Sequence, residues 1–235
     1  MIVGIAENID DLLAGHESAQ RNLVEIRVPR LTNREIKQII TVGMEALGIQ
    51  VEDESVDQIV EFSANFPYYT HLLCEGAVRS LINFIRAGTK KDYLIGESEL
   101  AASIDYAIRN TQHTISRAYE DAVRSIRQSQ RFKYTLYAIA SWPEEPVAYK
   151  DICEWVGRIS KAEAGTVNIS HQLRRLESSG IIRRVDSGFY QFNNPLLKAY
   201  VILKARADTT DVELRAIDAQ IKQVQKRLDR VRSRI

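Results

Sequence analysis

The 235-residue sequence predicts a mainly α-helical chain built of four segments. Three observations carry that prediction. Between residues 36 and 85 apolar side chains recur at three- and four-residue intervals behind recognisable helix starts. Over residues 165–194 the same period runs into Gly180 and then gives way to two short alternating runs around Asp186, Ser187 and Gly188. Beyond Asp208, the residues Leu214, Ile217, Ile221, Val224, Leu228, Val231 and Ile235 are spaced 3, 4, 3, 4, 3 and 4, an unbroken heptad seam.

Composition narrows the class. A hydrophobic share of 45% and a charged share of 27% are those of a globular chain with a sizeable core. No apolar run approaches the roughly 18 residues that span a bilayer, and no basic-then-apolar leader opens the chain; a cytoplasmic address without a membrane partner is expected. Cys74 and Cys153 lie far apart without metal-ligand spacing and read as reduced thiols, so no metal site is expected. The net charge of +1 conceals a gradient: residues 1–130 carry 13 Lys/Arg against 19 Asp/Glu, residues 131–206 carry 12 against 7, and residues 207–235 carry 7 against 5. A polyanion would therefore be met by the back of the chain.

Taken in order, Ile2, Val3, Gly4, Ile5 and Ala6 form a run suited to a buried parallel strand. No later run in the first half offers it a partner, so a truncated or excised chain is expected. A short helical turn follows, then His16, Ser18 and Arg21; His16 and Ser18 lack a third orienting residue and read as loop hydrogen bonding rather than a hydrolase pair. Thr32 and Glu35 make a capping box for a helix with Ile36, Ile39, Ile40 and Leu47 on one side. Asp53 and Glu54 start a second helix with Val56, Ile59 and Val60 inward, their charges favourable at its N-terminus. Pro67 starts a third, running to about Ile85. Ser98 opens a last one from Glu99 to about Ile126, long enough to bridge to the next segment.

Residues 132–142 give an apolar helix stopped by Pro143, and residues 149–156 another with Asp151 in its first turn. In the third helix Ile169, Leu173 and Leu176 share one face, while Asn168, His171 and Arg175 project from the other. Gly180 closes it. Residues 181–185 and 189–192 form a hairpin, with Phe189, Tyr190 and Phe192 as its core. Adjacent strand residues face opposite ways, so only one of Arg183 and Arg184 is expected at the solvent side. This stretch resembles a winged-helix domain. The resemblance implies contact with double-stranded DNA through Asn168, His171, Arg174 and Arg175 on the third helix and Arg183 and Arg184 in the wing; winged helices also serve RNA and protein contact.

The order from residue 1 to residue 130 (strand, short helix, Ser18-x-x-Arg21, an apolar run ending at Pro29, then capped helices) resembles the C-terminal end of an AAA+ ATPase core followed by its lid, as in bacterial and archaeal origin-recognition and initiator proteins. That resemblance implies a sensor-1 role for Asn8, or Glu7, and an arginine-finger role for Arg21. The position directly after Pro67, which carries the sensor-2 arginine in the family, holds Tyr68. The sequence has no G-x-x-x-x-G-K-[ST] loop and no apolar strand ending in paired acidic residues. No hydrolysis is expected of this chain alone, and ATP and magnesium enter only if a missing P-loop core is supplied.

The expected organisation is thus residues 1–31 as a core remnant, 32–130 as lid and bridging helix, 131–206 as winged helix and 207–235 as the heptad helix. That last helix is flanked by Lys222, Lys226, Arg227, Arg230, Arg232 and Arg234. Its narrow seam is satisfied either by self-association or by docking along a partner helix. Three functions fit: the DNA-engaging, ATP-sensing end of an AAA+ protein; a stand-alone winged-helix regulator dimerising through its tail; and a protein-interaction adaptor.

Overall fold

Short-range side-chain chemistry explains where several helices of the computed structural model begin. The structure describes residues 30–124, 130–142, 145–160 and 168–208, and those beyond Arg30 belong to one unit, Leu31–Ile235. The expected strand at residues 2–6, Asn8, Arg21 and the heptad seam of residues 214–235 lie outside the described residues. The fold is mainly α.

Helix α1 (Asn33–Ala46) begins with the expected capping box: Glu35 N–H donates to Thr32 Oγ1 at 3.3 Å and Thr32 N–H donates to the Glu35 carboxylate at 2.7 Å. It buries Ile36, Ile40 and Met44, whereas Leu47, expected on that face, sits at the C-cap and is 61% exposed. Strand β1 (Gln50–Val51) follows, then α2 (Asp53–Ser63), which buries Ile59 and Val60. Ala64 and Asn65 both take positive φ, 48° and 65°, and turn the chain into α3 (Pro67–Arg86). Asn65 holds that turn by donating from Nδ2 to the Leu31 carbonyl at 2.7 Å. Strand β2 (Leu94–Ile95) pairs in parallel with β1, a contact that no local pattern announced.

The single helix expected from Glu99 to Ile126 is two: α4 (Glu97–Asn110) and α5 (His113–Arg124). Thr111 adopts extended backbone between them. The Tyr68 hydroxyl bridges the break, accepting from Gln112 N–H at 2.9 Å and donating to the Asn110 carbonyl at 3.4 Å. Helix α4 also starts earlier than Ser98, because the Glu99 carboxylate reaches back to Gly96 N–H at 3.0 Å.

The second half runs α6 (Gln130–Ser141), β3 (Val147–Ala148), α7 (Tyr149–Ile159), α8 (Ser170–Ser178), β4 (Ile182–Asp186), β5 (Phe189–Phe192) and α9 (Pro195–Asp208). Its antiparallel sheet has the order β3-β5-β4, with Val147 opposite Tyr190 and Ile182 opposite Phe192. Trp142 and Trp155 meet edge to face at 6.4 Å where α6 and α7 pack. Among the described residues, no helix is long and apolar enough to cross a membrane.

Candidate nucleic-acid interface

The surface that collects the expected contact residues is built on α8. Its inner side is fully seated: Ile169, Leu173 and Leu176 are at most 1% exposed, which removes that face from solvent and fixes the helix roll. Asn168 Oδ1 accepts the Ser170 N–H at 3.0 Å, an Asx-type turn that orders the entry. His171 and Arg174 are consequently exposed with Asn168, while Arg175 is half-buried. Arg174 Nε donates to the Ser170 carbonyl at 3.3 Å, which leaves its terminal nitrogens to reach outward. At the other end Gly180, with φ 71°, donates to the Glu177 carbonyl at 3.0 Å and turns the chain directly into β4.

In the hairpin, Arg184 is exposed and Arg183 half-buried, the division expected of neighbouring strand positions. Arg184 Nε donates to the Asp186 carbonyl at 3.3 Å and Nη2 lies 3.5 Å from Ser187 Oγ, so the guanidinium is held at the turn. A bulge between Arg184 and Asp186 shifts the register there. The expected hairpin core is only partly formed. Phe192 is buried and Tyr190 half-buried, but Phe189 is 40% exposed, beside Val185 at 46%. Reading all three aromatics as core overlooks the period of two, which sets Phe189 on the face opposite Tyr190 and Phe192.

Tyr149 joins the parts. Its hydroxyl lies 3.2 Å from Ser170 Oγ at the start of α8, and its N–H donates to the Gly188 carbonyl at 2.7 Å in the hairpin turn. Neither Tyr149 nor its exposed neighbour Lys150 was among the expected site residues. The signal was available for Lys150, a cation in the first turn of a helix, where the backbone dipole disfavours it. The face is not uniformly basic, since Glu177 and Asp186 are exposed on it. Asp151, in the same first turn, is pushed above the ordinary carboxylate range by burial and then by Glu154, against the opposing pull of Lys150.

This arrangement offers guanidinium, imidazole and amide groups for hydrogen bonding and no activated nucleophile. Both cysteines are free; burial pushes the Cys74 thiol up to about 12 and that of Cys153 upward. Among the described residues, no group of three His, Cys, Asp or Glu is placed to hold a metal ion. Tyr68, at the position where the AAA+ resemblance would put an arginine, uses its hydroxyl on the α4–α5 junction. No family model, no curated protein and no solved structure matches the chain.

Proposed function

We propose that residues 130–208 act as a winged helix that binds double-stranded DNA, with α8 laid against base edges and phosphates and the β4–β5 hairpin serving as the wing. The order helix, strand, helix, helix, hairpin, with β5 central in its sheet, supports the reading. The observation that carries it is the polarity of α8. One face is buried to within 1%, and the opposite face presents Asn168, His171 and Arg174 beside a hairpin that holds Arg184 outward. Residues 31–124 are, in this proposal, the lid of an AAA+ protein, and the chain is the DNA-engaging, nucleotide-sensing end of an assembly whose P-loop core lies elsewhere.

The test is binding of the full chain to labelled duplex DNA across a salt series, beside a variant carrying Arg174→Ala, Arg175→Ala and Arg184→Ala. The expected result is salt-dependent binding, with the log–log slope flattened by about one unit per lost phosphate contact. A chain that fails to bind duplex at low salt overturns the reading. Exposed Val185 and Phe189 at the hairpin tip favour a second reading, protein contact through the wing. Under it, Phe189→Ser abolishes capture of a partner while the arginine variant does not.

A further inference from the structure

Helix α9 has no solvent face along its middle. Leu197, Lys198, Ala199, Tyr200, Val201, Ile202 and Leu203 are seven consecutive buried residues, where a surface helix would expose those opposite its apolar stripe. Two different bodies cover it. It packs on α6 and β5 of its own half and on α2, α4 and α5 of the helical half.

Each attachment has a specific anchor. Toward α6, Lys198 Nζ donates to the Trp142 carbonyl at 2.8 Å, satisfying a helix-terminal acceptor with a cation. Toward α5, the Tyr200 ring stands edge-on to Tyr119 with centroids 5.4 Å apart. Toward α2, Arg206 Nη2 donates to Glu61 Oε1 at 2.9 Å, and its guanidinium lies over the Phe62 ring at 4.8 Å. The Arg206 side chain is only 8% exposed, so this is an inserted group and not a surface strap. Undocking either half would open Phe62, Tyr119 and the apolar run of α9 together.

We propose that α9 is a shared helix that makes residues 31–124 and 130–208 one cooperative unit, so that a ligand or a lesion on either half alters the stability of the other. The boundary expected near residue 130 then separates segments of sequence without separating units of folding. By linkage, anything bound to the helical half is felt at α8 through the packing on α9. The inference stands on packing and is independent of whether α8 meets DNA.

Both tryptophans, Trp142 and Trp155, lie in the second half, so their emission reports that half alone. Ile59 is 0% exposed in α2 of the first half. Urea unfolding of the full chain followed by tryptophan emission is expected to move to lower midpoint, by about 0.3–1 M, in Ile59→Val, with the slope unchanged. Ile59→Ala should move it further. Reciprocally, Leu176→Ala should speed amide exchange in α3. A tryptophan curve unmoved by Ile59→Val, or α3 protection unmoved by Leu176→Ala, overturns the proposal. The Val variant keeps the first arm readable where the Ala variant does not fold.

Discussion

Replacing Lys90 by Met should destabilise the protein in a way that pH reverses. The Glu99 side chain is 0% exposed, and its carboxylate accepts from Lys90 Nζ at 2.9 Å and from Gly96 N–H at 3.0 Å; Lys90 itself is 21% exposed. Burial works against ionisation of Glu99, but Lys90 and the Gly96 N–H outweigh it, and the carboxyl is held below its ordinary value. Removing one partner of a buried pair costs about 3–5 kcal/mol, because the other charge stays behind. The variant has an escape, protonation of Glu99. From an ordinary value near 4.3 that protonation costs about 1.4 kcal/mol per pH unit, about 4 kcal/mol at pH 7 and about 1.6 kcal/mol at pH 5.5, and the loss is limited to this cost plus the Glu99 contribution that the parent enjoys. The signs are opposite in the two proteins. In the parent the Glu99 contribution is complete above the unfolded value and is lost as pH falls through the lower, folded one. In Lys90→Met the folded carboxyl binds a proton more readily than the unfolded chain, so the deficit shrinks as pH falls. Urea unfolding of both proteins at pH 7 and pH 5.5 reads this directly, and adding Glu99→Gln to the variant should recover stability at pH 7. A loss below about 0.5 kcal/mol at pH 7, within the range of ordinary surface substitutions, would refute the argument, as would one independent of pH.

Tyr68→Phe keeps the ring and removes the hydroxyl between Asn110 and Gln112, and should cost about 1 kcal/mol with faster amide exchange at Gln112. Gly76→Ala should lower the melting temperature although alanine favours helix by about 1 kcal/mol. Its Cβ would stand 2.9 Å from Ser103 Cα and Tyr106 Cβ, so α3 and α4 must part, at about 1–3 kcal/mol; a rise in melting temperature would contradict this. Gly180→Ala meets no atom within 4 Å yet must hold φ 71°, and should cost about 1 kcal/mol in thermal unfolding through backbone strain alone.

What could be read from the chain and what could not divide by sequence distance. The Thr32–Glu35 box, the seated face of α8 and the left-handed Gly180 are each decided within about four residues, and each stands where the pattern put it. The break in the expected helix after Glu99 could not be read that way. The apolar period continues through residue 111, and the group that bridges the break, the Tyr68 hydroxyl, is 44 residues from Gln112. Strands β1 and β2, two residues each and paired in parallel, exist only because the surrounding helices bring them together. Phe189 was misplaced because the three hairpin aromatics were read together as core, although a period of two sets it opposite Tyr190 and Phe192.

Helix α9 is the strongest case of the same rule. Burial on all sides erases the one-sided period that identifies a helix, so the sequence between Pro195 and Asp208 carries no face to read. Its anchors, Lys198 to Trp142 and Arg206 to Glu61, span 56 and 145 residues. The residues that can touch a ligand on α8 are thus chosen by local pattern, while the helix that seats them is chosen by contacts across the whole unit. For that reason the composition of the candidate interface was legible before its support was, and a change in α2 can reach α8 without touching any residue named for it.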